Sequence, residues 1–250
     1  MIYKKLPVVF LTTLASEKED STNSHIARYI LSHRDEIKDL SVKEMADRCA
    51  VGTGSISRFC RAVGLKDFNE LKILLEEDYQ EFQLHDTSDL KVHYLNEVYN
   101  RLKQVCDSVD MDQIKRLCDD LKSYDSVGIL GLLKSGGIAL NMQSDLLMLG
   151  KHVFSHINFH EQIRYLENTD QNDLIIIFSY TGSYFDYTEI RSLRKILKKP
   201  KIWLIAGKHT TYPDYVDEVI LFDSTLDRIG HPYQLQFIEN LIVQEYAGTL

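Results

Sequence analysis

Residues 174–178, L-I-I-I-F, form an unbroken apolar run. It is too short for a helix and rich in β-branched side chains, so it predicts a strand covered on both faces. The character then switches abruptly to Ser179, Tyr180, Thr181, Gly182 and Ser183. Beyond them Tyr187, Ile190, Leu193, Ile196 and Leu197 recur at helical spacing, until Lys198, Lys199 and Pro200 stop the pattern. A buried strand that opens through a small hydroxyl-rich turn into an amphipathic helix is where an open parallel sheet binds an anion. The turn offers backbone N–H groups, the helix N-terminus adds partial positive charge, and hydroxyls complete the cradle. The same hydroxyls also serve as plain helix caps, so this stretch alone leaves both readings open.

The pattern around that joint repeats. Residues 127–130, 151–155, 201–206 and 218–222 read as four more strands. Helical stripes alternate with them: Ile138, Met142, Leu146 and Leu149; the segment 161–167; and Leu235, Phe237, Ile238, Leu241 and Ile242. Five strands alternating with helices predict a parallel, doubly wound α/β sheet. The first of them opens through the turn 131–137 into its helix. Two further stripes precede the sheet, Leu95, Val98, Leu102 and Val105, then Ile114, Leu117, Cys118 and Leu121.

The first eighty residues have no strand signal. Ile26, Ala27, Ile30 and Leu31 form a one-sided stripe. Ser41 and Glu44 make a capping box ahead of Met45, Ala46 and Cys49. Ala50, Val51 and Gly52 break the chain tightly. A helix from Thr53 then turns Ile56, Phe59, Cys60 and Val63 inward, with Gly64 as its left-handed cap. Asp67 and Glu70 open a further helix with Leu71, Leu74 and Leu75 inward. Two short helices joined by a tight turn predict a helix-turn-helix. The outward face of the second helix holds Thr53, Gly54, Ser55, Ser57, Arg58 and Arg61, small and basic side chains suited to a DNA major groove. From Lys43 to Lys66 there are five bases against two acids, although the whole chain carries a formal charge of −8. An ordinary helical bundle with a solvated face fits the same pattern.

A length of 250 residues with 44% hydrophobic content supplies one large or two small cores. The polar segment 76–108 holds the weakest point of the chain, 85–89, and divides it there. Cys49, Cys60, Cys106 and Cys118 form no C-x-x-C pair, which fits reduced thiols in a cytoplasmic protein. Lys4 and Lys5 before the apolar stretch 6–15 resemble a short signal peptide; the favoured reading is a first helix with Pro7 near its start. No stretch reaches the ~18 apolar residues of a membrane span.

Residues 41–75, with S-I-S-R-F-C at 55–60, V-G-L at 63–65, Phe68 and E-L-K at 70–72, resemble the N-terminal domain of RpiR-family bacterial transcriptional regulators. Gly52 stands where that family usually has serine, and Gly54 where it has a small helix former. Residues 125–247 resemble a SIS (sugar isomerase) domain, the usual partner of such a domain. That family places its ligand at two turns. In the first, G-x-G-x-S, Gly131 and Ser135 match and Leu133 replaces the second glycine. In the second, S-x-S-G-x-T, Ser179, Thr181 and Gly182 match and Tyr184 takes the threonine place, with Ser183 as an alternative hydroxyl. The resemblance implies a multidomain chain: an all-α helix-turn-helix domain at 1–82, a linker helix at 83–108, and a five-stranded α/β SIS domain at 109–250. It implies a small phosphosugar held by Ser135, Ser179, Tyr180, Thr181, Gly182, Ser183 and backbone N–H groups. Lys134 is equally suited to pairing with the phosphate and to solvent. It also implies a homo-oligomer, dimer or tetramer, with 138–149 and 233–246 as contact helices.

On that reading the chain is not an enzyme and needs no cofactor. It binds a double-stranded DNA operator through Lys43, Thr53, Ser55, Ser57, Arg58 and Arg61, and the effector resets the spacing of two recognition helices, about 34 Å apart on a palindrome. The alternative is a phosphosugar isomerase with an appended helical domain, for which His160, Glu161, His231 and Glu239 are the nearby bases. His160 and Glu161 also stand as effector contacts against a solvated helix start. His152, His156 and His160 are four apart, but a strand at 151–155 denies them one face and so a metal. Trp203 reads as core.

Overall fold

The computed structural model describes residues 10–11, 13–14, 18–63, 65–76, 89–224 and 229–250. The expected cap at Gly64, most of the 6–15 stretch and the joint at 85–88 lie outside the described residues. The chain clusters into two compact units. Residues 3–82 form the bulk of one, and residues 83–185 with 189–250 the bulk of the other.

The first unit is helical: Thr22–Ser32, Arg34–Ile37, Val42–Arg48, Thr53–Ala62 and Phe68–Glu76. Its starts are set by side chains. Ser21 Oγ accepts from the Ser24 N–H at 3.1 Å. At Ser41 both capping-box bonds form: Glu44 N–H to Ser41 Oγ at 3.2 Å and Ser41 N–H to Glu44 Oε2 at 2.8 Å. Ile26, Ile37, Met45, Ile56, Phe59, Cys60 and Leu71 are fully buried, and Phe10 stacks on Phe59.

The second unit begins with helices Leu90–Ser108 and Met111–Ser123. Four parallel strands follow in the spatial order of the sequence: β1 (Ser126–Gly131), β2 (Asp173–Phe178), β3 (Lys201–Gly207) and β4 (Glu218–Phe222). Helices Lys134–Met148, Phe159–Glu167 and Gly230–Ala247 pack around them. The run at 174–178 is buried throughout, and Trp203 is fully buried with Nε1 donating to Asp120 Oδ2 at 2.7 Å.

Two expectations are corrected. The fifth strand, 151–155, is a single parallel bridge at Phe154 on the free side of β1. Its bonds run from Ile129 N to Phe154 O and from Phe154 N to Val127 O, both 2.8 Å. The neighbouring groups are committed elsewhere. The Lys151 N–H closes the preceding helix on Leu146 O, and the Val153 carbonyl accepts from Gln143 Nε2. The long helix expected after Ser183 is instead a 3₁₀ turn, Ser183–Asp186, a one-turn helix, Thr188–Ser192, and further turns.

Candidate functional site

β1 and β2 are neighbours, with Gly131 paired to Phe178 at their C-terminal ends. The chain leaves β1 toward the Phe154 bridge on one side and leaves β2 toward β3 on the other. Adjacent parallel strands whose connections diverge open a crevice at their C-terminal ends, the usual ligand position in such sheets. The turns 131–135 and 179–184 therefore lie side by side.

Each turn has a backbone that a specific residue makes feasible. A Cβ on Gly131 would sit 2.7 Å from the backbone of Ser135, so only glycine allows the chain to fold back there. Leu133 takes φ 51°, ψ −115°, a conformation natural to glycine. In the second turn Gly182 has φ +76° and packs against Thr210 and the Thr211 carbonyl. Gly182 N–H donates to Ser179 O at 2.9 Å and Tyr184 N–H to Ser179 Oγ at 3.1 Å.

The predicted ligand residues are brought to this crevice, in different states. Ser135 and Ser179 are buried at 5% exposure each. Thr181 and Ser183 are half-buried, with Thr181 Oγ1 donating to Ser183 Oγ at 3.1 Å. Lys134 is exposed at the first turn of its helix. Tyr180 is 2% exposed and its phenol is engaged inward, with Gln234 and with Ser224 Oγ at 2.6 Å. Its ring stacks on His231, centroids 4.4 Å apart. His231 Nε2 lies 3.4 Å from Ser135 Oγ. Burial, then the charge of Lys134, lowers the His231 pKa to about 3, so the ring is neutral at physiological pH.

Sequence reasoning passed over Gln162 and Gln234. Tyr184, 1% exposed, donates through its hydroxyl to Gln162 Oε1 at 3.0 Å. Gln162 Nε2 donates in turn to Gly131 O at 2.7 Å and His156 O at 2.6 Å. One fully buried amide thus ties the end of β1 to the turn after β2. The signal was a glutamine between Phe159 and Leu166 on the inward face of its helix. His160 and Glu161 sit at that helix start, where Asn158 Oδ1 caps their N–H groups and Glu161 pairs with Arg164. His152, His156 and His160 are exposed, and among the described residues no cluster of His, Cys, Asp or Glu is placed to hold a metal.

In the helical unit, Ile56, Phe59 and Cys60 of Thr53–Ala62 are at 0% exposure. Thr53, Gly54, Arg58, Arg61 and, on the preceding helix, Lys43 are exposed; Ser55 and Ser57 are half-buried. Arg58 Nη2 donates to Ser55 Oγ at 3.2 Å, Arg61 Nε to Ser57 O at 3.2 Å, and Ser57 Oγ to Thr53 O at 3.3 Å. Arg48, counted among the local bases, is paired with Glu36. The left-handed residue of the turn is Ala50, φ 51°. Gly52 is extended, at φ −77° and ψ 151°, and no atom lies within 4 Å of a Cβ placed on Gly52 or Gly54.

These features define a helix-turn-helix module followed by a parallel α/β domain with a crevice at its strand ends. Residues 10–82 match the family model described as the helix-turn-helix domain of the rpiR family. The chain thus carries an RpiR-family helix-turn-helix domain. A helix-turn-helix-type transcriptional regulator of Caldanaerobacter subterraneus, itself uncharacterised, is 27% identical over 177 residues, 67% of this chain and 63% of that relative. The match therefore spans less than two thirds of the relative's length. The Vibrio vulnificus NanR protein, solved in complex with ManNAc-6P, shares the fold over 98% of this chain and 92% of its own, with TM-score 0.59 at 15% identity. The sugar isomerase domain of an RpiR transcription factor from Sphaerobacter thermophilus covers 64% of this chain and 91% of its own, with TM-score 0.55 at 18% identity. The second unit has that SIS-type fold.

Proposed function

We propose that this chain is a cytoplasmic regulator of transcription without catalytic activity. Residues 1–82 bind a double-stranded operator, 83–108 link, and 109–250 bind a small phosphosugar that sets operator affinity. The observation that carries the reading is the two-sided helix Thr53–Ala62. Ile56, Phe59 and Cys60 are sealed inside, while Thr53, Ser55, Ser57, Arg58 and Arg61 line the outward side, in a domain of the rpiR family. Arginines there reach phosphates and guanine edges, and Lys43 and the serines reach phosphates. The paired turns at the ends of β1 and β2 support the effector half, with hydroxyls of Ser135, Ser179, Thr181 and Ser183, nearby backbone N–H groups other than that of Gly182, and Lys134 as phosphate partners.

The test is fluorescence anisotropy on an operator selected from random duplexes, with and without a panel of sugar phosphates. Arg58→Ala with Arg61→Ala is expected to abolish specific binding and to reduce the salt slope by about two. By linkage, the active sugar phosphate changes operator affinity by the factor by which operator changes its own. Unchanged DNA binding in the double variant would overturn the assignment of this face. A sugar phosphate that bound tightly yet left operator affinity alone would overturn the regulatory half. The isomerase alternative is the weaker one. Glu239 is fully buried, and Glu161 is paired with Arg164, so neither stands as a ready base; proton exchange at C2 of a phosphosugar would revive it.

A further inference from the structure

Residues 191–201, R-S-L-R-K-I-L-K-K-P-K, hold six bases and no acid. Across residues 83–250 there are seventeen bases and twenty-three acids, so outside this run eleven bases face all twenty-three acids. The positive charge is thus gathered on one stretch of an acidic unit rather than spread over it. The fold turns that stretch outward. Ile190, Leu193 and Leu197 are at most 6% exposed and anchor it. Leu193 N–H bonds Ile190 O, Leu197 N–H bonds Leu193 O and Lys199 N–H bonds Ile196 O, at 3.1, 2.9 and 2.9 Å. These tight turns leave Arg191, Arg194, Lys195, Lys198 and Lys199 exposed. Arg194 reaches both oxygens of Asp214, and Lys201 pairs with Asp120. Lys195, Lys198 and Lys199 have no ion-pair partner among the described residues. Other exposed bases of this unit are matched by an acid one turn away, as in Lys103–Asp107, Lys115–Asp112 and Arg164–Glu161. Here like charges stand three and four residues apart and repel, and a polyanion would relieve that repulsion. Lys201 opens β3 in register with Leu174 near the start of β2, so Lys198 and Lys199 lie at the strand-start edge. The crevice opens at the opposite end, beyond Gly131 and Phe178, and these lysines do not serve it.

We propose that Lys195, Lys198 and Lys199 form a second contact surface for duplex DNA, on the sheet unit and indifferent to sequence. It rests on the reading of the helical unit as operator-binding, which brings a duplex to the same chain. A patch too weak to hold DNA alone adds to affinity once the duplex is tethered nearby. Ammonium groups on flexible stems act as point charges, suited to phosphate oxygens rather than to base edges. A duplex carries one charge per about 1.7 Å of its axis, dense enough to engage neighbouring lysines together, and each phosphate neutralised releases counterions. The signature of this surface is therefore salt dependence, not base preference.

The test is fluorescence anisotropy of the full chain at several salt concentrations. One duplex extends the selected operator by about two helical turns on each side, and a second has the operator scrambled. Lys195→Gln with Lys198→Gln and Lys199→Gln is expected to lower the salt slope on both duplexes by about two to three. The corresponding triple arginine variant is expected to keep the slope. An unchanged slope in the glutamine variant would overturn the proposal. So would an equal loss in the arginine variant, because charge would then not be the cause. Native fluorescence of the buried Trp203 confirms that each fold is intact. Arg58→Ala with Arg61→Ala separates the two DNA readings. If that variant binds like the wild type while the lysine effect persists, the helical assignment fails and this surface stands. If it loses operator binding while the lysine effect is absent, this surface alone fails.

Discussion

Replacing Glu239 with glutamine is expected to flatten the pH dependence of stability of the sheet unit between about pH 4.5 and pH 8. Glu239 is at 0% exposure on helix Gly230–Ala247. Burial first, then the charge of Asp145 and a hydrogen bond to it, push its pKa from 4.5 up to about 8. Below about 4.5 the folded and unfolded chains both hold the proton, and nothing is lost. As pH rises the unfolded chain ionises first while the folded chain keeps its proton, so stability drains. The loss is complete once the folded carboxyl itself titrates near 8. The gap between 4.5 and 8, at about 1.4 kcal/mol per pH unit, sets the loss on the order of 5 kcal/mol. That is a large share of the ~5–15 kcal/mol that holds a typical domain folded.

Glutamine keeps the shape and can donate to Asp145 as the protonated acid does, but it has no proton to lose. The assay is urea unfolding at closely spaced pH values, followed by the fluorescence of Trp203. This is the single tryptophan of the chain, and it is buried in the sheet unit, so it reports that unit alone. Other titrating groups contribute equally to both proteins and cancel in the difference. The variant is expected to gain on the wild type steadily from pH 5 to pH 8. A difference that stays flat across that range would refute the placement of a protonated carboxyl in this core.

Two substitutions probe the backbone. Gly182→Ala puts a side chain at φ +76° and 2.9 Å from the Thr211 carbonyl, so the Trp203 urea midpoint is expected to fall by the equivalent of about 2–4 kcal/mol. Gly54→Ala adds a Cβ into open space on an exposed helix, and the helical unit is expected to gain about 1 kcal/mol. That gain reads out as a raised melting temperature in the far-ultraviolet circular dichroism phase that Trp203 fluorescence does not follow.

Much of the fold is legible because its signals are local. The run at 174–178 is apolar on successive residues, and both its faces are buried. Ser41 and Glu44 satisfy each other's N–H groups with no help from elsewhere. The errors arise where distant groups decide. The segment 151–155 has a strand's composition, but a helix cap and the Gln143 side chain take the bonds on either side of Phe154. After Ser183, the periodicity of Tyr187, Ile190, Leu193 and Leu197 foretold burial, and each is at most 7% exposed. It did not foretell a long helix, because the Ser179 hydroxyl and the left-handed Gly182 wind the chain into a 3₁₀ turn first. Gln162 and Gln234 were hidden for a similar reason. A glutamine on an inward helical face announces a buried bond, and its partner becomes visible only once β1 and β2 stand together.

The two departures in the crevice differ in kind. Leu133 occupies a backbone conformation made for glycine, at a cost on the order of 1–3 kcal/mol. The turn keeps its shape because Ser135 N–H bonds Leu132 O and Gly137 N–H bonds Leu133 O, both at 3.0 Å. The first turn therefore presents its backbone as a glycine would, and only its lining has become apolar. Tyr184 changes the lining of the second turn and also supplies a bond, through Gln162 to the carbonyl of Gly131. A ligand entering between the turns meets a wall already hydrogen-bonded across both, so its binding energy depends on whether it uses or breaks the Tyr184–Gln162 bond. Tyr184→Phe separates these cases: a ligand that must displace the hydroxyl will bind the variant more tightly, and one that hydrogen-bonds to it will bind more weakly.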